Sequence, residues 1–256
     1  MKSKGFMGQD VGGDAVLRLS EEEALALLSQ GQMGSPKLVP AGSNYTFLVT
    51  IQDGNDLGCW GIYKPLKGEA PLWDFPSGTL YKREYASYVL SAALGWPNVP
   101  PTVIREGVHG IGSVQLFVDA DPRVSYLELR QTHVEDMQRI AAFDWLVNNA
   151  DRKASHCLLG QDGKVSTIDH GLTFNTEFKL RTVVWDFQGT TIPSNLVEDL
   201  EKLLEALSSR EEWVDRLCSS ISHEEMDVLG HRLRNILKEP VFPLQHTYHS
   251  VPWPWF

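Results

Sequence analysis

Two polar runs, AsnAsnAlaAspArgLysAlaSerHis at 148–156 and SerThrIleAspHisGlyLeuThrPhe at 166–174, put Asp151 and Asp169 where carboxylates could do chemistry. Asp151 follows an apolar repeat of helical period, Met137, Ile140, Phe143 and Val147. Asp169 follows the strand-like ValSerThrIle of 165–168, and little more than CysLeuLeu (157–159) and a GlnAspGlyLys turn separates the two acids. So short a hairpin can return both carboxylates to one end of the same pocket. Phosphoryl transfer uses two acids in this way: one orients or deprotonates the attacking hydroxyl, and the other holds Mg²⁺ against the phosphates. On spacing alone the pair reads more readily as a helix-end acid followed by a turn acid.

Lys64 lies in the apolar run IleTyrLysPro, where burying an ammonium is costly unless an anion meets it; a triphosphate would be such an anion. An edge-strand lysine ended by Pro65 is an equal reading. Glu84, at the start of a helical stretch, could pair with Lys64, with Glu69 as a second candidate; a solvated first-turn acid is the plainer alternative. Lys153 could neutralise a γ-phosphate or be a loop charge.

The two aspartate runs resemble the paired catalytic and metal-binding motifs of the phosphatidylinositol 3-/4-kinase superfamily, and the similarity is greatest to its type II 4-kinase branch. The resemblance, over about residues 40–195, implies that Asp151 is catalytic, with Lys153 beside it, and that Asp169 binds metal. The metal-binding Asn expected five positions after Asp151 is replaced by His156, an imidazole better suited to Mn²⁺ or Zn²⁺ than to Mg²⁺. IleTyrLysProLeuLysGlyGluAlaPro (62–71) is similar to the segment around the ATP-contacting lysine, giving Lys64 that role. GlySerAsnTyrThrPheLeuVal (42–49) falls at the phosphate loop, implicating Ser43 and Asn44. GlySerValGlnLeuPheVal (112–118) falls at the hinge, placing Gln115, Phe117 and Val118 near adenine. The implied ligands are ATP and Mg²⁺ or Mn²⁺, and the implied acceptor is a hydroxyl on a protein, a small molecule or a phosphoinositide.

The elements that must position these groups fall into two halves. A capping box, Ser20 to Glu23, opens a short helix. Strand-like runs at 45–51 and 59–64 flank a hairpin turn, a helix is expected over 79–94 with Gly95 at its end, and strands over 102–104 and 113–118. Beyond residue 120 the pattern turns helical, ending in a leucine-rich helix at 196–207 and two helices with capping boxes at Ser209–Glu212 and Ser222–Glu225. The expectation is an α+β, two-lobed kinase-like fold, with an N-lobe at 1–118, a C-lobe at 119–256 and a nucleotide cleft between them.

Among its 256 residues, 42 % are hydrophobic, as in an ordinary globular chain, and the net charge of −10 argues against a nucleic-acid partner. Three scattered cysteines without a CxxC suggest a reducing, cytoplasmic setting. No apolar run suits membrane insertion. Lys179 and Arg181 could face an anionic substrate or simply pack on the helical lobe. The tail ValProTrpProTrpPhe (251–256) is expected to fold back on the chain or a dimer mate. A nucleotide-binding pseudokinase acting as an interaction module, or an adenylyl transferase on the same fold, remain the alternative functions.

Overall fold

The computed structural model describes residues 19–40, 43–54, 57–96, 98–209, 211–245 and 250–256. The chain opens with α1 (Glu21–Gln30), whose capping box forms as expected, then β1 (Gln32–Met33) and β2 (Lys37–Val39). β3 (Thr46–Gln52) and β4 (Gly58–Pro65) form an antiparallel hairpin, and α2 (Leu80–Ala93) follows. β5 (Thr102–Gly107) and β6 (Gly110–Leu116) complete a six-stranded antiparallel sheet of order β1-β3-β4-β6-β5, with β2 also on β3.

Strand alternation divides this sheet into two faces. Val49, Ile51, Tyr63, Val103 and Val114 are buried against Leu27 and Leu28 of α1. The opposite parity, including the cross-strand set Leu48, Ile62 and Gln115 and the pair Lys64 and Ser113, lies on the other face.

The second half contains α3 (Tyr126–Thr132), α4 (Val134–Val147), the hairpin β7 (Cys157–Leu159) and β8 (Val165–Thr167), and then α5 (Ser194–Ser209), α6 (Glu212–Ser220) and α7 (His223–Lys238). Met137, Ile140 and Phe143 of α4 join Leu200, Leu217 and Leu233 from the last three helices in one large core. That core also takes in Ala86, Val89 and Leu90 of α2. α2 is thus shared, packing on β5 and β6 of the sheet and on α6 of the back half. Arg83 fastens it there through Glu225 of α7 and the Thr173 carbonyl, the latter at 2.5 Å.

Two local expectations are corrected. α6 is capped by Glu211 without a side-chain bond, so the Ser209–Glu212 box does not form, whereas Ser222 and Glu225 do cap α7 reciprocally. The strand expected over 113–118 ends at Leu116, which leaves Phe117 and Val118 outside the sheet.

Candidate active site

Alternation along β4 brings Lys64 to the same face as Ile62, away from the α1 core. Its Nζ hydrogen-bonds Oε1 of Glu84 on α2 and lies 2.7 Å from Oδ1 of Asp169. Burial works to lower the Lys64 pKa, but Asp169 and Glu84 outweigh it and hold the ammonium above its usual value. Lys64 in turn holds Asp169 well below the carboxylate range, against the opposing effect of burial. Glu84 is pushed upward by burial in spite of Lys64, and its second oxygen accepts the His170 backbone N–H at 2.8 Å. Glu84 is therefore the partner of Lys64. Glu69 instead accepts the Tyr81 N–H at 2.8 Å, and its other oxygen is buried with no hydrogen-bond partner among the described residues.

Asp151 is placed by the abrupt end of α4. Asn148 takes left-handed backbone, φ 54°, and its side chain donates to the carbonyls of Asn175 and Glu177 while accepting the Lys179 N–H. Asn149 accepts the Asp151 N–H at 3.0 Å. Arg152, fully buried, holds Asp144 of α4 at 2.9 Å and donates to the Ile168 carbonyl at 2.8 Å, tying the Asp151 turn to the approach to Asp169. The β7–β8 hairpin closes the same loop. Asp169 also adopts a positive φ, 62°, a conformation Asp tolerates better than most side chains.

The two acids meet electrically. Burial raises the Asp151 pKa, Lys153 at 3.0 Å lowers it, and the charge of Asp169 raises it further. Asp151 thus has a cation on one oxygen and a neighbouring anion close enough to affect its proton affinity.

His156 is buried beside Asp169, with Nε2 3.4 Å from Oδ2. Burial lowers its pKa to about 4, so the ring is neutral near pH 7. Its Nδ1 accepts the Lys153 N–H at 3.4 Å, which puts the ring proton on Nε2, facing Asp169. Ligation through Nε2 would require the proton to move to Nδ1 and this bond to be released. Among the described residues no cluster of three His, Cys, Asp or Glu ligands is present. Asp169, its side chain 47 % exposed, keeps Oδ2 out of the Lys64 bond, and with the adjoining imidazole, which favours Mn²⁺ over Mg²⁺, it offers two donors to a divalent cation. Such an ion would supply charge for a polyphosphate, with Asp169 and His156 as the residues to hold it.

At the expected hinge, the Phe117 N–H donates to the Trp60 carbonyl at 2.9 Å, whereas the Val118 N–H has no protein partner among the described residues. Gln115 is buried and donates to Thr102 at 2.9 Å. Of the expected phosphate loop, Gly42 lies outside the described residues. Ser43 is exposed, and Asn44 uses Oδ1 to accept the Ala70 N–H at 2.7 Å. Lys179 bonds Asp74 at 3.1 Å and lies over the Trp73 ring, which favours the packing reading for this residue.

Sequence reasoning missed Ile62 and Leu48, which share the face of Lys64 and whose signal is the alternation itself. It also missed the Asp144–Arg152 pair, which no local pattern announces.

A sheet-rich lobe, a helical lobe and a Lys–Glu–Asp linkage beside a second aspartate define a protein of the kinase-like class. Solved structures agree on the fold. The Golgi casein kinase with Mn/ADP bound superposes with a TM-score of 0.56 at 14 % identity, covering 85 % of this chain and 74 % of that one. Hydra Fam20 with sugar gives 0.54 at 14 % identity, covering 85 % and 87 %. The chain belongs to the phosphatidylinositol 3- and 4-kinase family, whose model matches residues 102–245, more than half its length. Protein Rv2133c of Mycobacterium tuberculosis is 37 % identical over 90 % of this chain and 95 % of its own. Phosphatidylinositol 4-kinase gamma 4 of Oryza sativa subsp. japonica is 34 % identical over 40 % of this chain, and the match spans only 22 % of that protein. No helix among the described residues is long and apolar enough to cross a membrane.

Proposed function

We propose that this chain is an ATP- and divalent-metal-dependent phosphotransferase that moves the γ-phosphate of ATP to a hydroxyl on a protein, a small molecule or a phosphoinositide. The observation that carries the reading is the Lys64–Glu84–Asp169 linkage, with Asp151 near enough to feel the Asp169 charge. In this reading Lys64 grips the phosphates and Asp169, with His156, holds the ion. The Val118 backbone meets adenine, Phe117 and Gln115 flank it, and Ser43 and Asn44 shape the phosphate loop. Asp151 orients the acceptor hydroxyl and takes its proton, while Lys153 offsets charge at the transferred group.

A nucleotide-binding module without turnover is the second reading, favoured by His156 in the position where the family carries Asn. Calorimetric titration with ATP and Mn²⁺, run beside an ADP-release assay, tests both. ATP binding with ADP release that Asp151→Asn abolishes supports the enzyme. Binding without release, unchanged by Asp151→Asn, supports the module, and no binding at all rejects both.

A further inference from the structure

His170 follows Asp169 directly and is fully buried. Its backbone is fixed on both sides: the N–H donates to Oε2 of Glu84 at 2.8 Å, and the carbonyl accepts the Thr173 hydroxyl at 2.8 Å. The ring meets the other half of the site, where Nε2 lies 2.6 Å from Nη2 of Arg152, the residue after Asp151. The Thr167 hydroxyl is 3.3 Å from the same nitrogen, and Phe143 of α4 packs edge to face on the ring, centroids 5.9 Å apart.

A guanidinium can only donate, so Nε2 presents its lone pair to Arg152 and the ring proton sits on Nδ1. That Nδ1 is buried and has no hydrogen-bond partner among the described residues. Burying an N–H without an acceptor is costly, and an apolar side chain packed on Phe143 would avoid the cost. An apolar side chain could not, however, accept from Arg152. Arg152 does not need this acceptor to be neutralised, because its Nε and Nη2 already reach the two oxygens of Asp144 and its Nη1 reaches the Ile168 carbonyl. The bond to His170 adds direction instead. It fixes where the guanidinium lies, and with it the chain beside Asp151.

We propose that His170 is a positioning residue for the transfer step, its Nε2 pinning Arg152 so that the Asp151 carboxylate keeps its place relative to Asp169. The inference rests on the phosphotransferase reading and adds to it the residue that couples the two aspartates. One side chain and its own backbone span the site: the backbone hangs from Glu84 beside Asp169, and the ring holds the neighbour of Asp151. The ring is too enclosed to touch nucleotide or ion itself, the residue being 0 % exposed. A space-filling role would leave the orphaned Nδ1–H without a reason.

The test joins histidine ¹⁵N spectra to Mn²⁺-dependent ADP release, both on the full chain near pH 7. The spectra should show a histidine protonated on Nδ1 and not on Nε2, whose signal is missing from His170→Gln. His170→Leu, which removes the acceptor, should lower kcat about tenfold. The KM for ATP should hold, and the thermal midpoint should move by less than about 4 °C. His170→Gln, whose amide oxygen can receive Arg152, should recover most of the lost kcat. The proposal is overturned by a His170 ring protonated on Nε2, by a Leu variant that turns over normally, by a kcat loss seen only alongside a lowered midpoint, or by a Gln variant as slow as the Leu variant. Any of these, in a chain that releases ADP, sinks this inference alone. An unmodified chain that releases no ADP overturns the phosphotransferase reading, and this inference with it.

Discussion

The backbone N–H of His170 donates to Oε2 of Glu84 at 2.8 Å, bridging 86 positions of sequence. The same carboxylate holds Lys64 through its other oxygen, so one buried side chain fixes both the Lys64 ammonium and the turn that carries Asp169. Lys64→Met should therefore weaken ATP binding in calorimetry and also expose a fault in the core. Without the ammonium, burial and the Asp169 charge raise the Glu84 pKa, opposed by the His170 N–H. A carboxyl whose folded pKa is raised costs stability once pH exceeds its unfolded value. Urea unfolding of Lys64→Met should therefore show a larger deficit at pH 8 than at pH 5, and an equal deficit would contradict the buried pairing.

In the proposed reading Asp151 and Asp169 divide the chemistry, and the division can be measured. Asp151→Asn should leave Mn²⁺-dependent ATP affinity in place while lowering turnover by about 10²–10⁴-fold, the usual contribution of a positioned base. Asp169→Asn should remove the metal dependence of ATP binding itself. Retained metal-dependent affinity in the second variant would take Asp169 out of the ion site.

Arg152 and Asp144 are both fully buried and 2.9 Å apart, and Thr182 also donates to Asp144 at 3.2 Å. Removing one partner of such a pair strands the other charge away from water. Arg152→Met is expected to cost about 3–5 kcal/mol in chemical denaturation. A loss under 1 kcal/mol would mean that the loop relaxes to solvate Asp144.

His156 makes the fold sensitive to acid. Its folded pKa of about 4, set mainly by burial, lies below the 6.5 of the free side chain, so the unfolded chain takes up the proton first. Stability should thus fall as pH drops from about 6.5 towards 4, with His156 accounting for about 2 kcal/mol between pH 7 and pH 5. In EDTA, His156→Asn should flatten that part of the profile. With metal restored, the same variant should shift preference from Mn²⁺ towards Mg²⁺. An unchanged metal ratio would leave His156 a structural neighbour of Asp169.

The sequence shows the site more plainly than the frame that holds it. Asp151 and Asp169 stand in local patterns, a helix end and a strand end joined by one short hairpin, whereas Lys64, in an apolar run, reaches Asp169 only through packing across 105 positions. Glu84 could be named as a partner but not chosen over Glu69, because the choice depends on α2 packing against the turn at His170. β1 and β2, two and three residues long, carry too little periodicity to register and form only by pairing with β3. The bonds from the Thr182 and Ala154 N–H groups to the Ser250 and Trp255 carbonyls are backbone contacts between distant segments, for which side-chain identity gives no signal.

Arg83 carries a further implication. By welding α2 to Glu225 and Thr173, it makes the helix bearing Glu84 part of the rear body of the molecule. In kinases that toggle by swinging the equivalent helix outward, the Lys–Glu contact is the gate. Here such a swing would have to break the buried Arg83 bonds and also part α2 from β5 and β6, against which it packs.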